Sequence, residues 1–179
     1  MREKNGKLKA VVVRGFSEHN MEAIKGLRSL FPKTVRNTDE QIRRNLANPE
    51  NLNMFLMCGD EVVGYILGTP HADAISELKD TQDERYMSPD PRNERTYIDQ
   101  MALKPSGRAH GNFLVLVISF LNELWSKGKC KISSHILADQ GLDRAVTMAF
   151  GRMLTKKKSI KLMCHQGKEF LYIEGTYVK

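Results

Sequence analysis

The sequence is poor in residues that cross-link a chain or carry it across a membrane. Its three cysteines are scattered, odd in number and without C-x-x-C spacing, at Cys58, Cys130 and Cys164. This argues against a disulfide framework and a zinc site, and it fits a reducing cytoplasm. No apolar run reaches the roughly 20 residues that a membrane-spanning helix needs, and the charged segment Met1–Lys9 is not typical of a signal peptide.

The composition predicts a globular protein. Hydrophobic residues make up 41% and charged residues 27% of the 179 positions, which excludes a disordered chain or a fibre. A chain of this length buries roughly 70% of its unfolded surface, so we expect one domain over residues 1–179. Aromatic residues are only 7% of the chain and lie in apolar runs, which argues against a nucleic-acid-binding module.

The net charge of +7 is unevenly distributed along the chain. Residues 45–99 carry four basic and eleven acidic side chains, whereas the segments on either side are strongly basic. Basic segments attract anions such as phosphorylated small molecules, and an acidic segment tolerates a cation. The alternative is a solvated surface with clustered charge. We expect the run Lys156–Lys158 to be a solvated helix end, where the helix dipole favours cations.

Hydrophobic periodicity and turn residues predict alternating strands and helices in the order β-α-α-β-β-β-α-β-α-β-β. This order predicts an α/β protein with a mixed sheet. The predicted helices are Glu18–Leu30, a segment from the Thr38 cap to about Ala47, Asn112–Lys127 and Leu142–Leu154. The predicted strands are Ala10–Arg14, Asn53–Cys58, Glu61–Gly68, Thr96–Leu103, Lys131–Leu137, Ile160–Cys164 and Glu169–Ile173.

Residues 71–95 form a long acidic connection before the central strand. A short helix is predicted around Ala74–Lys79, and the remainder is interpreted as a mobile lid. Its carboxylates would favour a cationic amine next to it, although a disordered surface loop fits equally well. They are Asp73, Glu77, Asp80, Asp83, Glu84, Asp90 and Glu94.

The most informative stretch joins the strand Thr96–Leu103 to the helix that begins at Asn112. The strand ends at Leu103-Lys104-Pro105, and the loop Ser106-Gly107-Arg108-Ala109-His110-Gly111 follows. A strand–loop–helix joint of this kind directs free backbone N–H groups and the positive helix end at one point, which suits phosphates. Arg108 and His110 add side-chain donors. The loop is neither a Walker A sequence nor a dinucleotide fingerprint.

This stretch resembles the signature of the GNAT superfamily of acyl-CoA-dependent N-acetyltransferases. Leu103-x-Pro105 corresponds to the end of the signature strand, and Arg108-x-x-Gly111 opens the helix, with Phe113 where a small residue is expected. The element order resembles the same superfamily from about Ala10 to Ile173. The resemblance implies a GNAT-like domain whose central, mostly antiparallel sheet has six or seven strands and about four flanking helices.

The resemblance also implies a cofactor site and a reaction. The two central strands would splay apart, and the pantetheine arm of CoA would pair with the backbone of Met101, Ala102 and Leu103. The pyrophosphate would contact N–H groups of Arg108, Ala109, His110, Gly111 and Asn112. A primary amine of a small molecule or peptide would then attack the acetyl-CoA thioester directly, without an acyl-enzyme.

Two residues are candidates for catalysis. Asp99 lies four residues before Leu103, where the superfamily often carries a glutamate, and it is the candidate base, directly or through water. By strand alternation Asp99, Met101 and Leu103 share a face. His135 is the second candidate, because it lies near the end of the other central strand and its free pKa suits base chemistry; a structural, hydrogen-bonded role is the alternative.

The proton donor of many superfamily members has no counterpart in the sequence. They carry a tyrosine in the helix after the second central strand, and residues 139–151 contain none. Tyr172 and Tyr177 are interpreted as strand residues whose hydroxyls reach water. An alternative function is therefore a degenerate GNAT-like domain that binds CoA or a protein partner. The terminal hairpin would leave a sheet edge, which suggests a homodimer.

Overall fold

The computed structural model describes residues 7–31, 36–79, 84–104, 112–137, 153–163 and 169–178. Within these ranges the helices are α1 (Glu18–Arg28), α2 (Asp39–Ala47), α3 (His71–Glu77) and α4 (Asn112–Ser126). The strands are β1 (Leu8–Val13), β2 (Leu52–Cys58), β3 (Glu61–Pro70), β4 (Arg95–Leu103), β5 (Lys131–Leu137), β6 (Leu154–Met163) and β7 (Glu169–Tyr177). The predicted helix Leu142–Leu154 falls almost wholly outside the described residues, and Leu154 itself begins β6.

The strands are hydrogen-bonded in the order β1-β2-β3-β4-β5-β7-β6. The pairs β1–β2, β2–β3, β5–β7 and β6–β7 are antiparallel, and β4–β5 is parallel. The prediction of an α/β protein with a mostly antiparallel, mixed sheet of six or seven strands is therefore confirmed. No helix in the described part of the chain has the length and apolar character to span a membrane.

Side-chain caps fix the starts of the first two helices. The Ser17 hydroxyl accepts a hydrogen bond from the backbone N–H of Asn20 at 3.1 Å. At α2, the Gln41 N–H donates to the Thr38 hydroxyl at 3.2 Å, and the Thr38 N–H donates to the Gln41 side chain at 2.7 Å. This reciprocal capping box satisfies two N–H groups that lack partners within the helix. Both helix starts are confirmed as predicted.

The chain divides into two compact units, and β4 contributes to both. The first comprises residues 1–68 and 100–120. In it, α1 and α2 pack their apolar faces on the sheet, so that the core contains Val13, Met21, Ile24, Leu27, Ile42, Leu46, Phe55, Tyr65, Leu67 and Ala102. The buried Tyr65 hydroxyl donates to the Gln100 side chain at 2.9 Å, which satisfies both polar groups inside this core.

The second unit comprises residues 69–99 and 121–179. Its sheet ends at β6, and the lysine run that we expected at a helix end lies within this edge strand instead. The run coincides with a β-bulge between Thr155 and Lys158, where Lys156 has a φ of 47°. Lysines and bulges both protect an edge strand from pairing with another chain, so the same cations serve a sheet edge rather than a helix dipole.

The acidic connection is anchored where the structure describes it. Helix α3 begins at His71, three residues before the predicted short helix, and a 3-10 turn covers Glu84–Tyr86. Ala74 and Met87 are buried in an apolar cluster with the sheet residues Tyr97 and Tyr172. The described residues of the connection, 71–79 and 84–95, thus include contacts with one face of the second unit's sheet, and the mobile lid stays a prediction.

Candidate active site

The C-terminal half of β4 belongs to the first unit and holds the three residues predicted to contact the pantetheine arm. Ala102 and Leu103 are buried and Met101 is half-buried. Gly64 on β3 has no side chain, which allows Ala102 and Leu103 to lie close to the β3 backbone. A Cβ at position 64 would lie 2.5 Å from Leu103 Cδ2 and 3.0 Å from the Ala102 carbonyl oxygen. The Lys104 N–H donates to the Val63 carbonyl at 2.8 Å and fixes the end of the strand.

The helix after β4 begins where the sequence predicts. Asn112 is the first residue of α4 and is half-buried, and Phe113 is half-buried in its first turn. The other predicted pyrophosphate contacts, Arg108, Ala109, His110 and Gly111, lie outside the described residues. Their role stays a prediction.

The two candidate catalytic residues lie on one face of the second unit's sheet. The parallel ladder joins Arg95–Ile98 to Lys131–Ser134, and Asp99 and His135 each follow the last residue that their strand pairs in this ladder. Side chains alternate along a strand, so Asp99 lies on the face of Tyr97, and His135 lies on the face of Ser133. Asp99 is half-buried and forms interactions of its own.

His135 is held by two tyrosines. Its Nδ1 atom lies 3.0 Å from the Tyr97 hydroxyl, and the ring centroids of these two residues are 5.8 Å apart. The Tyr172 ring lies closer, with its centroid 4.8 Å from that of His135 and an interplanar angle of 40°. The contacts fix the imidazole in one orientation, which both a catalytic and a structural histidine require.

A buried carboxylate, Glu174 on β7, lies on the same face. It accepts hydrogen bonds from the Ser88 hydroxyl at 2.6 Å and the Tyr172 hydroxyl at 2.8 Å. The Arg95 guanidinium lies 3.1 Å away and the Lys158 ammonium 4.0 Å away. Burial alone would raise the pKa of Glu174, but the two hydroxyl donors and the two cations hold this pKa below its usual range.

His71, at the start of α3, is a second buried titratable group. Its Nε2 lies 2.9 Å from the Ser88 carbonyl oxygen, and its Nδ1 lies 2.7 Å from the Ser133 hydroxyl. Burial lowers the pKa of His71 below 6.5, and the Arg95 charge adds to this effect. The neutral tautomer with the proton on Nε2 fits both contacts, since Nε2 then donates to the carbonyl and Nδ1 accepts from the hydroxyl.

The buried His71 predicts a pH dependence of stability. At a pH below about 6.5 the unfolded histidine binds a proton that the folded one does not, so the free energy of unfolding falls as the pH drops through this window. We expect urea unfolding at pH 7.5 and 5.5 to show a smaller difference for His71→Gln than for the parent. Glu174 does not interfere, because its lowered pKa acts below 4.5. An equal difference in both proteins would contradict the buried neutral state.

Sequence reasoning found Asp99 and His135 but not the groups around them. Alternation could have singled out Tyr97, two residues before Asp99 on the same face. His71 and Glu174 gave no local signal, because strand pairing brings them to this face. The interpretation of Tyr172 and Tyr177 as water-exposed is wrong: both are buried, and the Tyr177 hydroxyl donates to Asn122 at 3.1 Å.

Solved structures with a similar architecture include several N-acetyltransferases. No family profile and no curated protein sequence matches the chain. Among solved structures, the Escherichia coli ribosomal-protein-S18-alanine N-acetyltransferase is similar at 10% identity and a TM-score of 0.63, with 97% of this chain and 96% of that chain covered.

Two further structures were solved with bound molecules. The NatC complex bound to Gag peptide and CoA is similar at 13% identity and a TM-score of 0.69, with 96% and 99% coverage. Arabidopsis thaliana NAA60 in complex with acetyl-CoA is similar at 12% identity and a TM-score of 0.65, with 96% and 100% coverage. The chain therefore has the fold of the GNAT superfamily of N-acetyltransferases.

Proposed function

We propose that this protein is an N-acetyltransferase that moves the acetyl group of acetyl-CoA to a primary amine. The observation that carries the proposal is the 3.0 Å contact between Tyr97 and His135 on the sheet face to which alternation also assigns Asp99. Three polar groups suited to proton transfer thus share one face of the second unit, within a fold that binds CoA or acetyl-CoA in two of the similar structures.

Residues at the end of β4 and the start of α4 would bind the co-substrate. The ladder between β4 and β5 ends at Ile98, and the backbone groups of Met101, Ala102 and Leu103 follow this end. They would pair with the amides of the pantetheine arm. Arg108, Ala109, His110, Gly111 and Asn112 would supply N–H groups at the start of α4, where the helix dipole favours the pyrophosphate.

Residues near the end of the β4–β5 ladder would supply the proton chemistry. The amine lone pair attacks the thioester carbonyl carbon, the C–N bond forms, and the C–S bond breaks to release the CoA thiolate. Asp99 would accept the amine proton, directly or through water, and His135 is the other candidate for this step. Positioning of the amine against the thioester would provide much of the rate enhancement.

The Tyr97 hydroxyl is the best-placed proton donor among the described residues of this face. Tyr172 is unsuited, because its buried hydroxyl already donates to Glu174 and because burial and that carboxylate raise its pKa further. Tyr97 would protonate the leaving thiolate, and the tyrosinate would regain a proton from His135, which would first have taken up the amine proton, directly or from Asp99. This assignment explains how a GNAT-like chain could work without a tyrosine in residues 139–151.

The acceptor would be a primary amine of a peptide or small molecule. Ala74 and Met87 of the connection 71–95 pack in the cluster that contains Tyr97. The connection carries seven carboxylates in its sequence, which would favour a cationic amine. A peptide is bound in the NatC complex, and an alanine is the acceptor named for the E. coli enzyme. A peptide N-terminus is therefore the first class of acceptor to test.

The test is an acetyl-transfer screen read by mass spectrometry. Purified protein is incubated with acetyl-CoA and panels of free peptides and of small primary amines, and the Tyr97→Phe variant is run alongside. Multiple turnovers by the parent, with loss of about tenfold or more in kcat for Tyr97→Phe, would support the proposal. Acetyl-CoA binding without transfer to any acceptor would favour the degenerate, CoA-binding domain, for which Phe113 at the start of α4 is the supporting observation.

A further inference from the structure

We propose that Glu174 is a positioning residue for proton transfer at His135 and acts through Tyr172. The inference rests on the proposed function, in which His135 takes part in proton movement. It concerns a carboxylate that lies on a different strand from either candidate catalytic residue and that the sequence did not single out.

Glu174 is connected to His135 through Tyr172. The Tyr172 hydroxyl donates to Glu174 Oε2 at 2.8 Å, and the Tyr172 ring lies 4.8 Å from the His135 ring. Strands β5 and β7 pair His135 with Tyr172 and Ser133 with Glu174. Glu174 is thus the diagonal neighbour of His135, and such pairs have Cα atoms about 7–8 Å apart.

The Glu174 carboxylate is held in a fixed position. Its Oε1 atom accepts from Ser88 at 2.6 Å, and Arg95 lies 3.1 Å from Oε2. Only 7% of the residue is exposed, and Tyr172 is fully buried. A hydroxyl bound to an immobile carboxylate in turn fixes the plane of the Tyr172 ring against the imidazole.

The charge of Glu174 bears on the protonation of His135. A carboxylate close to an imidazole favours the protonated form, so Glu174 would stabilise His135 after it accepts a proton. Other groups face this site: Arg95, Tyr97 and Asp99 from β4, His71 from α3, and Lys158 from β6. If Glu174 loses its charge, the cations Arg95 and Lys158 remain and oppose protonation of His135.

The cost of burying charged side chains separates this role from a purely structural one. Buried ion pairs contribute little net stability compared with apolar side chains of similar size. A sheet that needed only packing here could use such residues. This network instead holds the Glu174 carboxylate, which accepts from the Tyr172 hydroxyl, and the Tyr172 ring lies against His135. The arrangement serves the orientation and protonation of His135.

The experiment compares Glu174→Gln and Tyr172→Phe with the parent protein. NMR titration gives the His135 pKa in each, and steady-state kinetics give kcat, the KM for acetyl-CoA and the pH profile. We expect Glu174→Gln to lower the His135 pKa by about half a unit or more, because the negative charge that favours the protonated imidazole is removed. We expect both variants to lower kcat by about fivefold or more while KM changes less than twofold. Glu169→Gln, the same substitution at an exposed position of β7, should change neither quantity.

The outcomes distinguish the inference from the function on which it rests. An unchanged His135 pKa and pH profile in folded variants, with only a lower melting temperature, would overturn the positioning role. If Glu174→Gln does not fold, Tyr172→Phe decides, since it keeps the ring and removes only the hydroxyl. If the parent shows no turnover but Glu174→Gln still shifts the His135 pKa, the coupling between Glu174 and His135 is supported. Only the proposed function is then contradicted.

Discussion

Replacing Asp99 with asparagine should lower kcat for acetyl transfer by about 100-fold or more and leave the affinity for acetyl-CoA within twofold of the parent. Asparagine has nearly the same shape but cannot accept the amine proton, and general bases contribute about 10²- to 10⁴-fold to rates. Asp99 is not among the predicted co-substrate contacts, which are the backbone groups of Met101–Leu103 and of residues 108–112, so binding should persist. Calorimetry and steady-state kinetics on the same samples measure both quantities.

The matched control is Asp60→Asn, in the exposed turn between β2 and β3. It removes one carboxylate of the same type from a position outside the proposed site and should leave kcat unchanged. If Asp99→Asn retains full activity while His135→Gln loses it, the base is His135 and the role proposed for Asp99 is wrong. If both variants keep full activity, neither Asp99 nor His135 is the base.

Replacing Gly64 with valine should weaken acetyl-CoA binding by about tenfold or more and destabilise the protein by about 1–3 kcal/mol, the usual cost of overpacking. Even a Cβ would lie 2.5 Å from Leu103 Cδ2 and 3.0 Å from the Ala102 carbonyl oxygen. The side chain can move, but a backbone carbonyl moves only with the strand. The predicted pantetheine contacts, Met101–Leu103, would therefore be displaced.

Gly26→Val on α1 is the control for the Gly64 variant, because nothing lies within 4 Å of its added Cβ. It should bind acetyl-CoA as the parent does. Gly64→Ala combined with Leu103→Ala should cost less stability than the sum of the two single substitutions, because Leu103→Ala removes the atom closest to the added Cβ. Normal acetyl-CoA affinity in Gly64→Val would show that the backbone of β4 is not part of the binding site.

Most strands could be predicted because local pattern determines them. The β-branched run at Ala10–Arg14, the turn at Gly59-Asp60 and the strand Lys131–Leu137 all correspond to observed elements. The helix caps at Ser17 and Thr38 were also readable, since a cap involves neighbours within three residues. The lysine run was misplaced because clustered cations suit a helix end and an edge strand equally.

The candidate site was predictable only in part, because its members come from distant segments. Alternation along one strand placed Asp99 relative to Met101 and Leu103. The contact of His135 with Tyr97 depends on the register of β4 against β5, and that of Tyr172 with Glu174 depends on the fold of the terminal hairpin. The packing of His71 and Met87 could not be predicted from the connection 71–95 itself, because these residues contact side chains that lie far away in the sequence.

Calorimetric titration of the full chain with acetyl-CoA tests the account most directly, with CoA and ATP as comparison ligands. The account predicts saturable binding of acetyl-CoA at micromolar affinity, similar binding of CoA, and much weaker binding of ATP, which has the phosphates but lacks the pantetheine arm. Absence of detectable heat at millimolar acetyl-CoA would contradict an acyl-CoA site at β4 and α4, and with it the proposed acetyltransferase.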